Sequence, residues 1–354
     1  MTTIFHEDIV RVVRDHAAGM EHTGKLTPEI LEFIYQEKLF KLFVPTELEG
    51  LMVDLPEALR IFEQASWVDG SFGWLITIGS GGGFFAATLP SNEAALLYTH
   101  RKAVVAGSGH PNGKATLVDG GYQVSGQWKY CSGSTYASLF TANCIIKRGD
   151  EQEIRSFVFM PEQVEIIQDW KALGLKVTES HSIAVKDVFV PDHLTFSIAS
   201  EPNYKAPVYQ YPFLQFAQTS FAAVCAGIGQ HFLEEARSEA LTQQEKWESK
   251  YPTKFPAVMS KLNEKEAIFR DAVQQFYVTI ESSWSRFVSN QELSEQDQHD
   301  VSFRSQEIAR IALESAHTLF PLLGMTVLME DNLLNRIWRD LHTVTQHGVL
   351  VAID

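Results

Sequence analysis

The end of the sequence carries the densest set of side chains that could do acid–base chemistry. It reads Trp338-Arg339-Asp340-Leu341-His342-Thr343-Val344-Thr345-Gln346-His347-Gly348. Among side chains, the ordinary pKa of histidine lies nearest to neutrality, so either imidazole could act as a general base. His342 and His347 are five residues apart, which on a continuous helix turns their side chains about 140° from each other. We therefore expect only one of them in an active site.

The histidines and cysteines are not spaced as metal ligands. Helical zinc sites use histidines at i and i+4, and Cys131, Cys144 and Cys225 include no Cys-x-x-Cys pair. An odd number of cysteines also indicates no disulfide framework. The sequence therefore predicts no metal site and a protein of the reducing cytoplasm.

A second group of candidate residues lies in the middle of the chain, in two stretches. The stretches read Gly107-Ser108-Gly109-His110-Pro111-Asn112-Gly113-Lys114-Ala115 and Trp128-Lys129-Tyr130-Cys131-Ser132-Gly133-Ser134. The first is rich in glycine and predicts a loop, and no helix pattern follows it as in a Rossmann fingerprint. It presents His110 as another candidate base. In the second, Ser132 offers a hydroxyl, and Cys131 alternates with it and is expected on the opposite face.

Length, composition and charge limit the class of protein. The chain has 354 residues, 45% of them hydrophobic and 21% charged, which is typical of a globular protein with two or three structural units. A net charge of −15 argues against nucleic acid and anionic membrane surfaces as partners. The N-terminus lacks the basic segment and apolar run of a signal peptide. The uncharged stretch 74–89 is broken by glycines and short for a membrane span, so it predicts a buried helix with a bend.

Hydrophobic patterns divide the chain into three parts, over 1–102, 103–200 and 201–354. The first part is helical, and Thr27-Pro28 predicts a capped helix start. The second has short strand-like runs, two of them joined by a hairpin signal at Asp119-Gly120-Gly121. We expect it to form a small β-barrel or sandwich of about six to eight strands.

The third part has long helical patterns and predicts an antiparallel bundle. Its helices are expected at 216–247, 255–290 and 302–323 and from 332 onward, with an exposed acidic loop at 292–300. The predicted fold class is therefore α+β, with an N-terminal helical domain, a central β domain and a C-terminal helical bundle.

This layout, together with an ordered set of motifs, resembles the acyl-CoA dehydrogenase superfamily. The motifs are 107–115, the hairpin 119–128, Tyr130-Cys131-Ser132-Gly133, the segments 170–180 and 185–191, and Arg339-Asp340. The resemblance spans essentially the whole chain and implies a flavin between the β domain and the bundle. It also implies a homotetramer or homodimer. The implied flavin contacts are Gly109, Tyr130, Ser132, Gly133, Thr178, Gly324 and Arg339.

Several details resemble the flavin-dependent monooxygenase branch of that superfamily. They include the run Asp69-Gly70-Ser71-Phe72-Gly73-Trp74 and the sequence of residues 338–343. The glutamate that serves many dehydrogenases as a base is replaced in position by Gly348, with His347 beside it. Gln243-Gln244-Glu245-Lys246-Trp247 stands where the dehydrogenases carry a flavin-phosphate motif, so FMN is as plausible as FAD. The branch implies a separate flavin reductase as partner.

The resemblance suggests roles for three residues. Ser132 would donate a hydrogen bond to the flavin ring by its side chain or backbone, and His347 or His110 would act as a general base. His342 would be structural. The substrate would be a small organic molecule.

Two other functions remain open from the sequence. One is an acyl-CoA dehydrogenase whose base has moved to another helix, for which Glu234, Glu235 and Glu245 are candidates. The other is a non-catalytic member that serves as a binding or structural subunit.

Overall fold

A computed structural model describes residues 5–148, 151–290 and 292–351 of the chain. Within them the protein has helices at both ends and a β-sheet between. The α-helices are α1 (Glu7–Thr23), α2 (Pro28–Gln36), α3 (Leu55–Val68), α4 (Gly70–Gly81), α5 (Ser91–Tyr98), α6 (Phe213–Thr242), α7 (Gln244–Lys250), α8 (Lys254–Asn290), α9 (Glu295–Leu323) and α10 (Leu333–Val344). None of these helices is long and apolar enough to cross a membrane.

The strands form one mixed sheet. They are β1 (Val105–Val118), β2 (Gly121–Cys131), β3 (Leu139–Arg148), β4 (Glu151–Phe159), β5 (Glu165–Ile167), β6 (His181–Pro191) and β7 (Thr195–Phe196). Their order is β5-β6-β2-β1-β3-β4-β7, so the described sheet is open. The prediction of a closed barrel or sandwich is not confirmed, because the two edge strands have only three and two residues and do not pair with each other.

Local sequence signals set the helix starts and the hairpin as predicted. The Thr27 hydroxyl accepts a hydrogen bond from the Ile30 N–H at 3.3 Å, directly before Pro28 opens α2. Val118 pairs with Gly121 across the hairpin, and Gly120 has a φ of +74°, which a residue with a side chain rarely adopts.

The glycine-broken stretch 74–89 is a buried helix with a bend, as predicted. α4 ends at Gly81 and continues as a 3₁₀ turn over Gly82–Ala87. A Cβ on Gly79 would lie 2.3 Å from the Phe40 ring. The glycine therefore lets α4 pack closely against the segment that follows α2.

The glycine-rich stretch 107–115 is part of β1, so the predicted loop is wrong. β1 pairs with β3 in parallel, with a shift of register between Ser108 and Gly113. A Cβ on Gly113 would lie 2.3 Å from the Trp128 ring. The glycines thus mark close packing within the sheet, which composition alone does not distinguish from a turn.

α6 lies at the centre of the helical part and contacts α3, α4, α8, α9 and α10. Apolar residues of the N-terminal and C-terminal helices share one core, whereas the sheet has a core of its own. The predicted acidic loop at 292–300 is shorter than expected, since Ser294 caps α9 and the helix begins at Glu295. The domain limits at 102 and 200 stay a prediction.

Gly174 brings the segment between β5 and β6 against α10. A Cβ there would lie 2.2 Å from the Arg339 carbonyl oxygen and 2.5 Å from the Asp340 nitrogen. Because both are backbone atoms, no change of rotamer relieves the clash. We expect Gly174→Ala to lower the free energy of unfolding by about 1–3 kcal/mol, as measured by urea denaturation. Gly19→Ala is the control, because nothing lies within 4 Å of its Cβ in α1, and an equal loss there would contradict the steric account.

Candidate active site

A chain of hydrogen bonds joins the helical part to the sheet. The Trp74 indole Nε1 donates to the Ser132 hydroxyl at 2.9 Å, and Ser132 Oγ lies 2.7 Å from Ser180 Oγ. Ser180 Oγ lies 2.7 Å from Thr178 Oγ1, which donates to the Leu175 carbonyl at 2.8 Å. All four polar side chains are buried. The structure thus brings together Ser132 and Thr178, which the sequence placed in one site.

The two ends of this hydroxyl chain (Trp74, Ser132, Ser180, Thr178 and the Leu175 carbonyl) fix its direction. An indole N–H can only donate and a carbonyl can only accept. Since Thr178 gives its proton to the Leu175 carbonyl, Ser180 must donate to Thr178, and Ser132 must donate to Ser180. The Ser132 N–H in turn donates to the Tyr130 carbonyl at 3.1 Å. Ser132 therefore offers a ligand a lone pair, whereas the sequence suggested a donor.

Strained backbone surrounds the hydroxyl chain. Tyr130, Leu175 and Glu179 have φ values of +67°, +51° and +45°, each of which costs on the order of 1–3 kcal/mol. Gly133 also has a positive φ, +75°, and its N–H donates to the Thr178 carbonyl at 2.8 Å. Strain of this kind persists where the surrounding structure holds it and concentrates at functional sites.

His347 lies beyond the end of α10, in a turn. Its ring centroid is 6.0 Å from that of Trp74 and 4.4 Å from that of Phe221. Burial lowers the pKa of His347 to about 4, with a smaller contribution from the charge of His110. The imidazole is therefore neutral at physiological pH and able to accept a proton.

Two helices hold the segment that carries His347. Gln218 on α6 donates from Nε2 to the Val349 carbonyl at 2.9 Å. Ser302 on α9 donates to Gln218 Oε1 at 2.7 Å. The terminal turn is thus tied to the bundle by polar bonds as well as by ring contacts.

Gly109 and His110 border this group on an exposed side. No atom lies within 4 Å of a Cβ built on Gly109, whose carbonyl accepts from Asn143 Nδ2 at 2.8 Å. His110 is exposed on β1, and its charge contributes to lowering the pKa of His347. Tyr130, two residues before Ser132, is 63% exposed.

The other predicted site residues have different surroundings. Arg339 is buried, and its guanidinium donates to Asn335, to Glu21 and to the Leu173 carbonyl. These bonds give it a structural environment, and its predicted flavin contact stays a prediction. Gly324 ends α9 with a φ of +92°, and no contact among the described residues joins it to the hydroxyl chain.

His342 points away from His347. Its ring stacks 3.8 Å from that of Trp338, and its Nε2 lies 2.6 Å from His317 Nε2. The two histidines have different surroundings, as expected. The reason is not the angle between positions on one continuous helix, because α10 ends at Val344 before it reaches His347.

Sequence reasoning missed Trp74, Phe221 and Ser180 as members of the site. Trp74 was expected only in a family motif and at the start of a buried helix, and Phe221 has no polar atom to mark it. A signal did exist for Ser180, since Thr178 and Ser180 alternate directly before β6.

The carboxylates considered for a dehydrogenase lie elsewhere. Glu234 accepts from Trp67 Nε1 at 2.7 Å, and Glu235 lies 3.7 Å from His231. Both are on α6, and Glu245 is on α7. In the part of the chain that is described, no group of three or more His, Cys, Asp or Glu side chains could hold a metal ion.

Comparison with known proteins shows what the chain is similar to. Residues 219–351 match the family described as "Acyl-CoA dehydrogenase, C-terminal domain". Solved structures of a hydroxylase and a monooxygenase superimpose over nearly the whole chain and have the same fold. The predicted resemblance to the acyl-CoA dehydrogenase superfamily is confirmed.

Curated proteins similar to this chain include monooxygenases. Indole-3-acetate monooxygenase of Pseudomonas putida is 28% identical over 348 residues, which cover 97% of this chain and 89% of that protein. The flavin-dependent monooxygenase oxygenase subunit HsaA of Mycobacterium tuberculosis is 24% identical over 360 residues, 97% of this chain and 90% of the other. The sequence prediction of the monooxygenase branch is confirmed.

Solved structures confirm the fold of the superfamily. The crystal structure of 3-HSA hydroxylase from Rhodococcus sp. RHA1 has a TM-score of 0.88 at 22% identity, over 97% of this chain and 91% of that one. Two more distant structures with this fold, with TM-scores of 0.80 and 0.75, are complexes with FADH2 and with FMN respectively.

Proposed function

We propose that this chain is the oxygenase component of a two-component flavin-dependent monooxygenase. It would use reduced flavin and O2 to add one oxygen atom to a small organic substrate, preferably an aromatic one. The observation that carries the proposal is the neutral imidazole of His347, which lies against Trp74 and Phe221. Trp74 and Phe221 form an aromatic wall beside His347. Trp74 connects this aromatic wall to Ser132, the residue expected beside the flavin.

The residues of the site fit a flavin. The flank at Gly109 is open, the backbone at Tyr130 and Gly133 is held in unusual conformations, and Ser132 has an unused lone pair. A ring that carries N–H groups matches such an acceptor. Bound reduced flavin, FMN or FAD, would supply the electrons that reduce one atom of O2 to water.

The protein would contribute proton transfer and exclusion of water. Trp74 and Phe221 offer an apolar surface on which an aromatic ring can stack. His347 is neutral and can take a proton from a phenol or a similar group, a role worth roughly 10²–10⁴-fold in rate. His110 is a second candidate. Burial of the imidazole limits access of water to the reaction.

The exposed side of the site, at Gly109 and His110, supports the proposal of an oligomer. Two cavities of about 200 and 560 Å³ lie elsewhere, the first near Asp340 and the second beside Trp67. The exposed flank at Gly109 and His110 would be covered by a second copy in a homodimer or homotetramer. Gly324 could contribute from such a copy. A separate flavin reductase would supply the reduced flavin.

Isotope labelling tests the proposed reaction. The chain is mixed with a flavin reductase, FMN or FAD, NADH and ¹⁸O2, together with a panel of phenols, indoles and aliphatic controls. The proposal predicts a hydroxylated product that carries one ¹⁸O atom. Label found only in peroxide with every substrate would count against it. Reduction of bound flavin by acyl-CoA thioesters without oxygen would favour a dehydrogenase instead.

A further inference from the structure

Side chains of α10 form hydrogen bonds to the backbone of residues 173–175, which lie just before Thr178 in the sequence. Three consecutive residues of that segment each give one backbone group to an α10 side chain. The bonds join the Leu173 carbonyl to Arg339 Nη1 at 3.1 Å, the Gly174 N–H to Thr343 Oγ1 at 2.8 Å, and the Leu175 N–H to Asp340 Oδ1 at 2.6 Å. The close approach at Gly174 allows all three to form.

Leu175 connects these three hydrogen bonds to the hydroxyl chain. Its N–H is held by Asp340, and its carbonyl is the acceptor that ends the hydroxyl chain at Thr178. Leu175 also has a left-handed backbone, with a φ of +51°. Since that conformation is unfavourable for a residue with a side chain, an external contact must hold it. Asp340 provides the shortest of the contacts to the segment.

Asp340 also contacts the helix that carries Trp74. A Cβ on Gly70, the first residue of α4, would lie 3.0 Å from Asp340 Cβ and from its second carboxylate oxygen. One end of α4 therefore packs against Asp340, and the same helix carries the Trp74 indole that donates to Ser132. The Asp340 carboxylate therefore contacts the elements that hold both ends of the hydroxyl chain, which are Trp74 on α4 and the Leu175 carbonyl.

We propose that Asp340 is a positioning residue, whose carboxylate sets the Leu175 residue and, through the hydroxyl chain, the orientation of Ser132 toward the flavin. This inference rests on the proposed function, because it assumes that Ser132 faces a flavin. It gives the Arg-Asp pair of α10 a task that does not require contact with the cofactor. Asp340 itself touches neither His347 nor the aromatic wall in any described contact.

The surroundings of Asp340 make its hydrogen bond to the Leu175 N–H sensitive to pH. Burial and, to a smaller extent, the charge of Asp69 together raise the pKa of Asp340 to about 7. The ionisable groups that face it or line the adjoining cavity are Arg14 and Glu21 on α1, Asp69 before α4, His231 on α6, and Arg336 and Arg339 on α10. An ionised carboxylate accepts a stronger hydrogen bond than a neutral acid. The Asp340–Leu175 bond should therefore strengthen as the pH rises through about 7 and weaken below it.

Two substitutions of Asp340 separate its charge from its role as an acceptor. Asp340→Asn keeps the shape and an acceptor oxygen but does not titrate, whereas Asp340→Leu removes the acceptor. Asp8→Asn is the control, because Asp8 is exposed on α1 and pairs only with Arg11 among the described contacts. Each full-length protein is titrated with FMN and FAD, oxidised and reduced, at pH 6 and pH 8, and hydrogen exchange at the Leu175 amide is measured without flavin.

In the wild type we expect tighter flavin binding and slower exchange at Leu175 at pH 8 than at pH 6, and in Asp340→Asn almost no difference between the two. Asp340→Leu should bind flavin roughly tenfold more weakly at both pH values and exchange Leu175 faster. Flavin affinity and exchange unchanged in Asp340→Leu, with a wild type that binds flavin, would overturn this inference alone. A wild type that binds no flavin in either redox state would count against the proposed function and this inference together.

Discussion

Replacing His347 with alanine is expected to lower turnover by about 10²–10⁴-fold, with little change in the affinity for reduced flavin. The imidazole lies against Trp74 and Phe221 and is kept neutral by burial, which lowers its pKa to about 4. It is thus unprotonated over the whole physiological range. Because protonation requires a pH near 4, loss of turnover between pH 8 and pH 5 must come from another group. Steady-state kinetics together with a flavin titration measure both quantities.

His342→Ala is the matched control for His347. It removes an imidazole from the same end of the chain, but one that contacts Trp338 and His317. We expect reduced stability and nearly normal turnover per folded molecule. If His347→Ala turns over like the wild type, the general-base role falls, and His110 is then the imidazole to replace.

Ser132→Ala should weaken the binding of flavin by roughly 10- to 100-fold. Ser132 is 5% exposed and lies in the middle of the hydroxyl chain. Its loss leaves the Trp74 N–H without its acceptor and the Ser180 oxygen without its donor in a buried place, and it removes the lone pair offered to the ligand. Turnover should fall as well, since the aromatic wall at Trp74 loses its anchor. The binding constant is measured by anaerobic titration with reduced FMN or FAD.

Ser134→Ala controls for the loss of any buried serine hydroxyl in this region. Ser134 is 1% exposed and donates to the Glu179 carbonyl at 2.8 Å, outside the hydroxyl chain. We expect it to lower stability with a small effect on flavin binding. Equal effects of the two substitutions would mean that Ser132 acts only through packing, and normal binding by Ser132→Ala would remove it from the site.

Features that depend on neighbours in sequence were predictable. The cap at Thr27 and the hairpin at Gly120 depend on local backbone preferences, which a few residues determine. The bend after α4 followed from glycines in an uncharged run. The order of motifs predicted the resemblance to the superfamily, whose family description matches residues 219–351.

Features that depend on distant contacts were not predictable. Whether the sheet closes depends on the pairing of β5 and β7, which are too short to give a clear pattern. The direction of the hydroxyl chain depends on Trp74 and the Leu175 carbonyl, which are about a hundred residues apart in sequence and which only the fold brings together. The same is true of Arg339, whose partner Glu21 lies on the first helix.

The reaction of the reduced-flavin complex with oxygen tests the central claim most directly. The chain is loaded with reduced FMN or FAD under anaerobic conditions and mixed with oxygenated buffer in a stopped-flow instrument, while flavin absorbance is followed. A monooxygenase predicts at least two resolved phases, an early one whose rate rises with oxygen concentration and a later one that does not depend on it. Oxidation in a single phase, at the rate of free reduced flavin, would contradict the claim.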